Sequence, residues 1–165
     1  MNDADKRQLY NALGTVTNLT AHLSNLLGRA PRATKYWTDV LKKNGEWEAA
    51  KKANMKAAIT LIAKLTKDAK VVSKDLENCA REAGDAKLLA KYPTGKAYRD
   101  QVVVKRLASA KAFDQNGAKF VSAMMSVLGS GLYPGMRDVD PKVTVDSIKN
   151  FSSYFNEMRI ELAKL

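Results

Sequence analysis

Apolar residues recur at intervals of three and four along most of this chain, which is the spacing of one face of an α-helix. The clearest run predicts a helix from Glu46 to Ala83, ended by Gly84. At about 1.5 Å per residue this helix would be roughly 57 Å long. Its predicted inward positions are Trp47, Ala58, Ile62, Leu65, Ala69, Val72, Leu76, Cys79 and Ala83.

The N-terminal quarter predicts two helices separated by a connector. The first starts at Asp3 or Asp5, whose charges suit a helix N-terminus, and extends to Leu27, where Gly28 is placed to end it. A basic, proline-containing connector covers residues 29–34. A short helix follows over about 34–43.

A fourth helix is predicted over about 96–128, after a break at 90–95. Gly117 either lies in register for the close approach of a neighbouring helix or kinks and splits the helix. The register of the first half is ambiguous, because its valines and Leu107 do not share a narrow face.

A glycine- and proline-rich loop over 129–138 precedes the last helix, which starts near Asp140-Pro141 or at Thr144. The fold class predicted from these elements is all-α: an antiparallel bundle of four long helices plus one short helix, in a single domain over residues 1–165.

Composition limits the setting. Cys79 is the single cysteine, which excludes an internal disulfide. The N-terminus is polar and acidic, unlike a signal peptide, and no apolar run is long enough to span a bilayer. We therefore expect a cytoplasmic or virion-associated protein.

The positive charge is concentrated in one section of the chain. Residues 29–119 contain 21 Lys and Arg against 10 Asp and Glu, a surplus that equals the net charge of +11 of the whole chain. Charge confined to part of one domain indicates a face that meets an anionic partner.

A row of cations on the third predicted helix is the sharpest part of this surplus. At about 100° per residue these side chains fall directly opposite Leu65, with no acid among them. Because lysines suit phosphates without base identity, the row predicts nucleic-acid backbone binding. The alternative is an ordinary solvated face. The row consists of Lys52, Lys56, Lys67, Lys70, Lys74 and Arg81.

Two smaller groups extend the predicted nucleic-acid-binding surface. Arg29, Arg32 and Lys35 precede Tyr36 and Trp37, whose rings would either stack on a base or pack in the core.

The second group lies on the fourth predicted helix and includes Arg99, Lys105 and Arg106. Arg99 and Arg106 fall near the extrapolated core line of Phe113, which indicates either a shifted register or two guanidinium groups lining a groove.

Catalytic chemistry is not predicted. His22 lies among leucines, Cys79 falls on a buried line, and Asp138 with Asp140 is a weak metal signal. No cofactor and no metal site are expected, and an enzyme is disfavoured.

Three functions remain in competition. The first is a non-enzymatic, nucleic-acid-associated subunit of a larger nucleoprotein assembly; by architecture and charge alone, it resembles the small helical subunits of CRISPR surveillance complexes. The second is a structural virion or filament subunit that acts through protein packing, with Leu132 and Tyr133 of the loop as a docking point. The third is a membrane-directed effector, which is disfavoured because the apolar faces are needed for the core.

Overall fold

Helices form every regular element in the computed structural model, which describes residues 1–128 and 140–165. The predicted all-α bundle is confirmed. In chain order the elements are α1 (Asp3–Leu13), α2 (Val16–Lys43), α3 (Ala49–Ala83), α4 (Ala86–Leu89), α5 (Gly95–Tyr98), a π-helical turn (Arg99–Val103), α6 (Val104–Arg106), α7 (Ala108–Leu128) and α8 (Asp140–Ala163).

Four helices surround the core. α2 packs against α3 and α8, α3 packs against α7, and α7 packs less extensively against α8. α3 and α8 therefore lie diagonally across the bundle, while α1 packs on α8 and α3. The largest fully buried side chains include Trp37, Tyr98, Phe113, Phe120 and Phe151, which come from α2, α5, α7 and α8.

The predicted helix ending at Leu27 is wrong, because α1 ends at Leu13 and α2 begins at Val16. The amide of Gly14 donates to the carbonyl of Asn11 over 3.3 Å, and the Thr15 hydroxyl donates to the carbonyl of Ala12 over 3.0 Å. These local bonds close the end of α1. At its start, the Asn2 side chain accepts a hydrogen bond from the Asp5 amide over 2.8 Å.

The predicted connector over 29–34 and the separate short helix over 34–43 are also wrong. Both belong to α2, which continues through Gly28 and Pro31 to Lys43. Pro31 removes one backbone donor, but Ala30, Ala33 and Trp37 are buried on the face that packs into the bundle. Burial of this face holds the helix through a residue that would end an isolated one.

Replacing Gly28 with alanine is expected to stabilise the protein by about 0.5–1 kcal/mol. Gly28 is exposed within α2, and a Cβ there would meet no atom within 4 Å. Alanine would therefore gain helix propensity without a clash. Urea unfolding followed by circular dichroism measures the change.

Gly117→Ala is the matched control, because Gly117 also lies inside a long helix. Here a Cβ would lie 2.9 Å from Cγ2 of Ile148 on α8, so the gain in propensity is opposed by overpacking. If Gly28→Ala destabilised the protein, or if the two variants gained equally, this description of the two sites would be contradicted.

The third predicted helix is confirmed in its main features. α3 starts at Ala49, three residues later than predicted, and ends at Ala83, where the Gly84 amide donates to the carbonyl of Arg81 over 3.1 Å. The buried residues of α3 are Met55, Ala58, Ile62, Leu65, Ala69, Val72, Leu76 and Cys79. All of these except Met55 were predicted inward positions.

The π-helical turn explains the ambiguous register of the fourth predicted helix. Val103, Leu107 and Ala110 are buried at helical spacing, but the next buried residue toward the N-terminus is Tyr98, five positions before Val103. The wider turn inserts one residue and rotates the preceding segment relative to α7. The shifted-register interpretation is therefore correct.

α7 continues through Gly117 without a break, and this glycine allows the close approach of Ile148. The predicted loop over 129–138, including Leu132 and Tyr133, lies outside the described residues. α8 begins at Asp140, which agrees with the earlier of the two predicted starts.

Candidate nucleic-acid interface

The cationic row runs along the outside of α3. Lys56, Lys67, Lys70, Lys74 and Arg81 are exposed, opposite the buried stripe of the same helix. From Lys52 to Arg81 the row covers roughly 43 Å of helix axis. The structure therefore places the six predicted cations on one side of one rigid element.

The two ends of the row have local partners. Lys52 is only half-exposed, and its ammonium donates to the carbonyl of Gly45 before α3. The Arg81 guanidinium donates from Nη2 to Oδ1 of Asn78 over 2.9 Å. The four lysines between them form no hydrogen bond or ion pair with the described residues, so their charges face solvent.

A groove of about 650 Å³ between α2 and α3 joins the row at its centre. Lys70 and Lys74 line it from α3 together with Ser73. The residues that line it from α2 are Thr17, Thr20, Ala21, Ser24 and Leu27. Hydroxyl groups and ammonium groups are thus adjacent, which is the combination that commonly contacts nucleic-acid phosphates.

Most of the groove hydroxyls are available to a ligand. The Thr20 hydroxyl donates to the backbone carbonyls of Val16 and Thr17, over 2.9 and 3.1 Å. The side chains of Thr17, Ser24 and Ser73 have no hydrogen bond to the described residues. These groups were not among the predicted binding residues, although Thr17, Thr20 and Ser24 have the spacing of one helical face.

Glu77 is an acid in the same groove, and it was not recognised in the sequence because it falls just outside the angular window of the row. Its carboxylate is exposed and lies one turn beyond Lys74 on α3. It reduces the positive potential at that end of the groove.

None of the cations of the first predicted group, Arg29, Arg32 and Lys35, lines the groove. Lys35 lies about three turns beyond Ser24 on the same face of α2, and the antiparallel neighbour α3 presents there its segment between Lys56 and Lys67. Arg29 and Arg32 are exposed but turned about 140° and 80° from Ser24. Because α2 is continuous here, Arg29, Arg32 and Lys35 lie at different angles around one helix and do not share a connector.

Three acids, Asp68, Asp75 and Glu82, recur every seven residues along α3, on a different side of the helix from the row. Glu82 accepts two hydrogen bonds from Arg106, over 3.0 and 2.8 Å, and the pair raises the pKa of the guanidinium. Asp75 accepts from the Ser109 hydroxyl over 2.6 Å, while Asp68 pairs with Lys64 of its own helix over 3.0 Å. Among the described residues, Glu82 is thus the one acid of these three with a basic partner on a neighbouring element.

The second predicted group is divided between two places. Arg106 is held by Glu82, and Lys105 is exposed. Arg99 lies on the other side of the bundle, where it lines a cleft between α7 and α8. The prediction that Arg99 and Arg106 line one groove is wrong, because Arg106 pairs with Glu82 and the second guanidinium group in the cleft of Arg99 belongs to Arg159.

The aromatic residues after the first basic group belong to the core. Trp37 has no exposed surface and packs against Phe120, with ring centroids 5.6 Å apart. Tyr36 is partly buried against the same core. Base stacking on Trp37 is therefore excluded in this conformation, and the core-packing alternative is correct for it.

Of the residues considered for catalysis, Cys79 is in unreactive surroundings. Burial raises the pKa of the Cys79 thiol to about 12, with a further contribution from Glu82, so the thiolate is not formed near neutral pH. His22 stacks on Tyr154 at 5.5 Å. Asp138 and the side chain of Asp140 lie outside the described residues. No three His, Cys, Asp or Glu side chains among those described come together as metal ligands.

In the described parts of the chain, no helix combines the length and apolar character needed to cross a bilayer. No protein family, curated protein or solved structure shows significant similarity to this chain. The interpretation of the row and groove therefore depends on the chain's own residues.

Proposed function

We propose that this protein is a non-enzymatic, nucleic-acid-associated subunit that binds a phosphate backbone along α3 without strong sequence specificity. Its setting would be a nucleoprotein assembly in the cytoplasm or a virion. The observation that carries the proposal is the junction of the row with the hydroxyl-lined groove between α2 and α3, at Lys70 and Lys74.

Backbone binding fits the chemistry of this surface. Lysine ammonium groups act as point charges on phosphates, and serine and threonine hydroxyls donate to phosphate oxygens. The central row has no arginine to form bidentate bonds to guanine and no exposed aromatic ring on which a base could stack. Affinity would therefore arise mainly from counterion release.

The direct test is fluorescence anisotropy with labelled single- and double-stranded DNA and RNA over a salt series. With four lysines on four phosphates, the slope of log K against log salt is expected to be about −3.6 for a duplex and about −2.8 for a single strand. Dissociation constants on the order of 10–100 µM at physiological salt are expected for binding of this kind.

A flat salt dependence, or affinity no greater than that of a size-matched basic protein, would reject the proposal. Binding to anionic liposomes but not to nucleic acid would favour the membrane-directed alternative. Concentration-dependent self-assembly in light scattering, without nucleic-acid binding, would favour the structural alternative.

A further inference from the structure

A second surface feature is the cleft between α7, with its preceding turns, and the last turns of α8. It has a volume of about 520 Å³, within the range of small-molecule sites. Val103, Leu107, Phe155 and Leu162 form its floor and are each at most 7% exposed, so its accessible apolar surface comes mainly from Val104, which is 58% exposed, and from Ala163. No residue of α3 contributes to it, so it is separate from the row.

The cleft follows from how the two helices meet. Near the middle of α7, Gly117 allows close contact with Ile148, and Phe113 packs edge-on against Phe151 at 4.8 Å. Toward the N-terminus of α7 the π-helical turn rotates the preceding segment, which brings Arg99 to this side. Beyond the contact of Phe113 with Phe151, the cleft lies between the turns that precede α7 and the last turns of α8.

Three cations border the apolar lining: Arg99, Lys111 and Arg159. Arg99 is 19% exposed and is held in place, since Nε donates to Oδ1 of Asp100 over 2.8 Å and Nη1 donates to the carbonyl of Leu162 over 3.0 Å. Asp100 offsets part of that charge. Lys111 and Arg159 are exposed and have no acidic partner among the described residues, and no acid lines the cleft.

We infer that the cleft binds a small anionic amphiphile, with an alkyl chain along the apolar lining and a carboxylate at Lys111 and Arg159. The two free cations supply the charge complementarity that a neutral or cationic amphiphile would lack. Each methylene that becomes buried is expected to tighten binding about fourfold.

The test uses dodecanoate below its micellar concentration, titrated into the ¹⁵N-labelled full chain. Amide shifts are expected at Val103, Leu107 and Leu162. Shorter chains should bind more weakly, by at most about fourfold for each methylene removed, and dodecyltrimethylammonium, which has the same chain and the opposite charge, should bind at least tenfold more weakly.

Two variants distinguish the head-group contacts from the apolar contacts. Lys111→Glu with Arg159→Glu should weaken dodecanoate binding at least tenfold, whereas Lys119→Glu with Lys149→Glu, which makes the same charge change elsewhere, should not. Ala163→Trp places a large ring at an exposed position of the lining and should block the chain. Circular dichroism checks that each variant is folded.

The inference is overturned if dodecanoate shifts none of these amides. It is also overturned if the cationic amphiphile binds equally well, or if the Lys111 and Arg159 double variant and the folded Ala163→Trp variant both bind as the wild type does. None of these outcomes depends on whether α3 binds nucleic acid.

Discussion

Reversing the charge of Lys56, Lys67, Lys70 and Lys74 to glutamate is expected to weaken nucleic-acid binding about a thousandfold at 0.1 M salt. Four phosphate contacts contribute a counterion-release factor of a few thousandfold at that salt concentration. The four glutamates also repel the backbone. Because all four lysines are exposed and have no partner among the described residues, the change should leave folding intact.

The salt slope gives a second, independent measure of the same contacts. Since the expected wild-type slope of about −3.6 for duplex DNA comes from four lysine–phosphate contacts, each contact that is removed should lower its magnitude by about 0.9. Fluorescence anisotropy from 50 to 200 mM salt measures the slope for the wild type and for single reversals, while the quadruple variant, with an expected dissociation constant of about 10 mM or more, should show no saturable binding.

A matched control reverses the same number of cations outside the row, at Lys6, Arg7, Lys149 and Lys164. The protein's net charge is +11, and each reversal lowers it by two, so both variants carry a net charge of +3. The ion pairs of Lys6 with Asp3 and of Lys164 with Glu161 are exposed and contribute little stability. Equal losses in the two variants would show that net charge, and not the row, governs binding.

Glu77 allows the groove to be tested in the opposite direction. If phosphate passes between α2 and α3, Glu77→Gln should tighten binding several-fold, because it removes a repulsive charge beside Lys70 and Lys74. Anisotropy at 100 mM salt measures this, and an unchanged affinity would place the backbone elsewhere along the row.

The sequence predicts α3 well because a single periodicity covers it. Its apolar positions keep helical spacing from Ala58 to Cys79, and Gly84 follows where the last turn ends. The angular position of the row depends only on that register. Exposure of Lys56, Lys67, Lys70 and Lys74 could therefore be predicted without the fold.

Local signals failed where tertiary packing opposed them. Pro31 and Gly28 are ordinary helix terminators, but α2 passes through both because Ala30, Ala33 and Trp37 are buried in the bundle. As a result Arg29, Arg32 and Lys35 lie on different sides of a helix and do not share a flexible loop. Helix propensities do not include the tertiary contacts that keep α2 helical through Gly28 and Pro31.

The site itself could be only half predicted. One helix supplies the lysines, but the groove requires α2 and α3 to be adjacent in a definite register, which the sequence does not specify. Only the packing of the two helices brings Thr17, Ser24 and Ser73 into one groove and places Glu77 in it beside the lysines.

Replacing Trp37 with alanine is expected to lower the free energy of unfolding by about 3–5 kcal/mol. Trp37 on α2 has no exposed surface and reaches Phe120 on α7, across the diagonal of the bundle. Its removal would leave a cavity among helices that meet there. Urea unfolding measures the loss of free energy. The midpoint temperature of thermal unfolding should fall by roughly 6–20 °C.

Trp47→Ala is the matched control, since Trp47 is the other tryptophan of the chain and is only partly buried, in the turn that precedes α3. It should lose clearly less stability. Comparable losses would contradict the central position of Trp37.

Trp37→Phe separates the core role from base stacking, because phenylalanine retains a ring and limits the cavity. The variant also removes the buried indole Nε1, which has no hydrogen-bond partner among the described residues, so part of the packing loss is offset. Stacking contributes about 1–3 kcal/mol per base, or roughly tenfold to more than a hundredfold in affinity. Because Trp37 is enclosed, the folded Trp37→Phe variant should bind nucleic acid as the wild type does. A tenfold loss in that variant would show that the α2 face opens when nucleic acid binds.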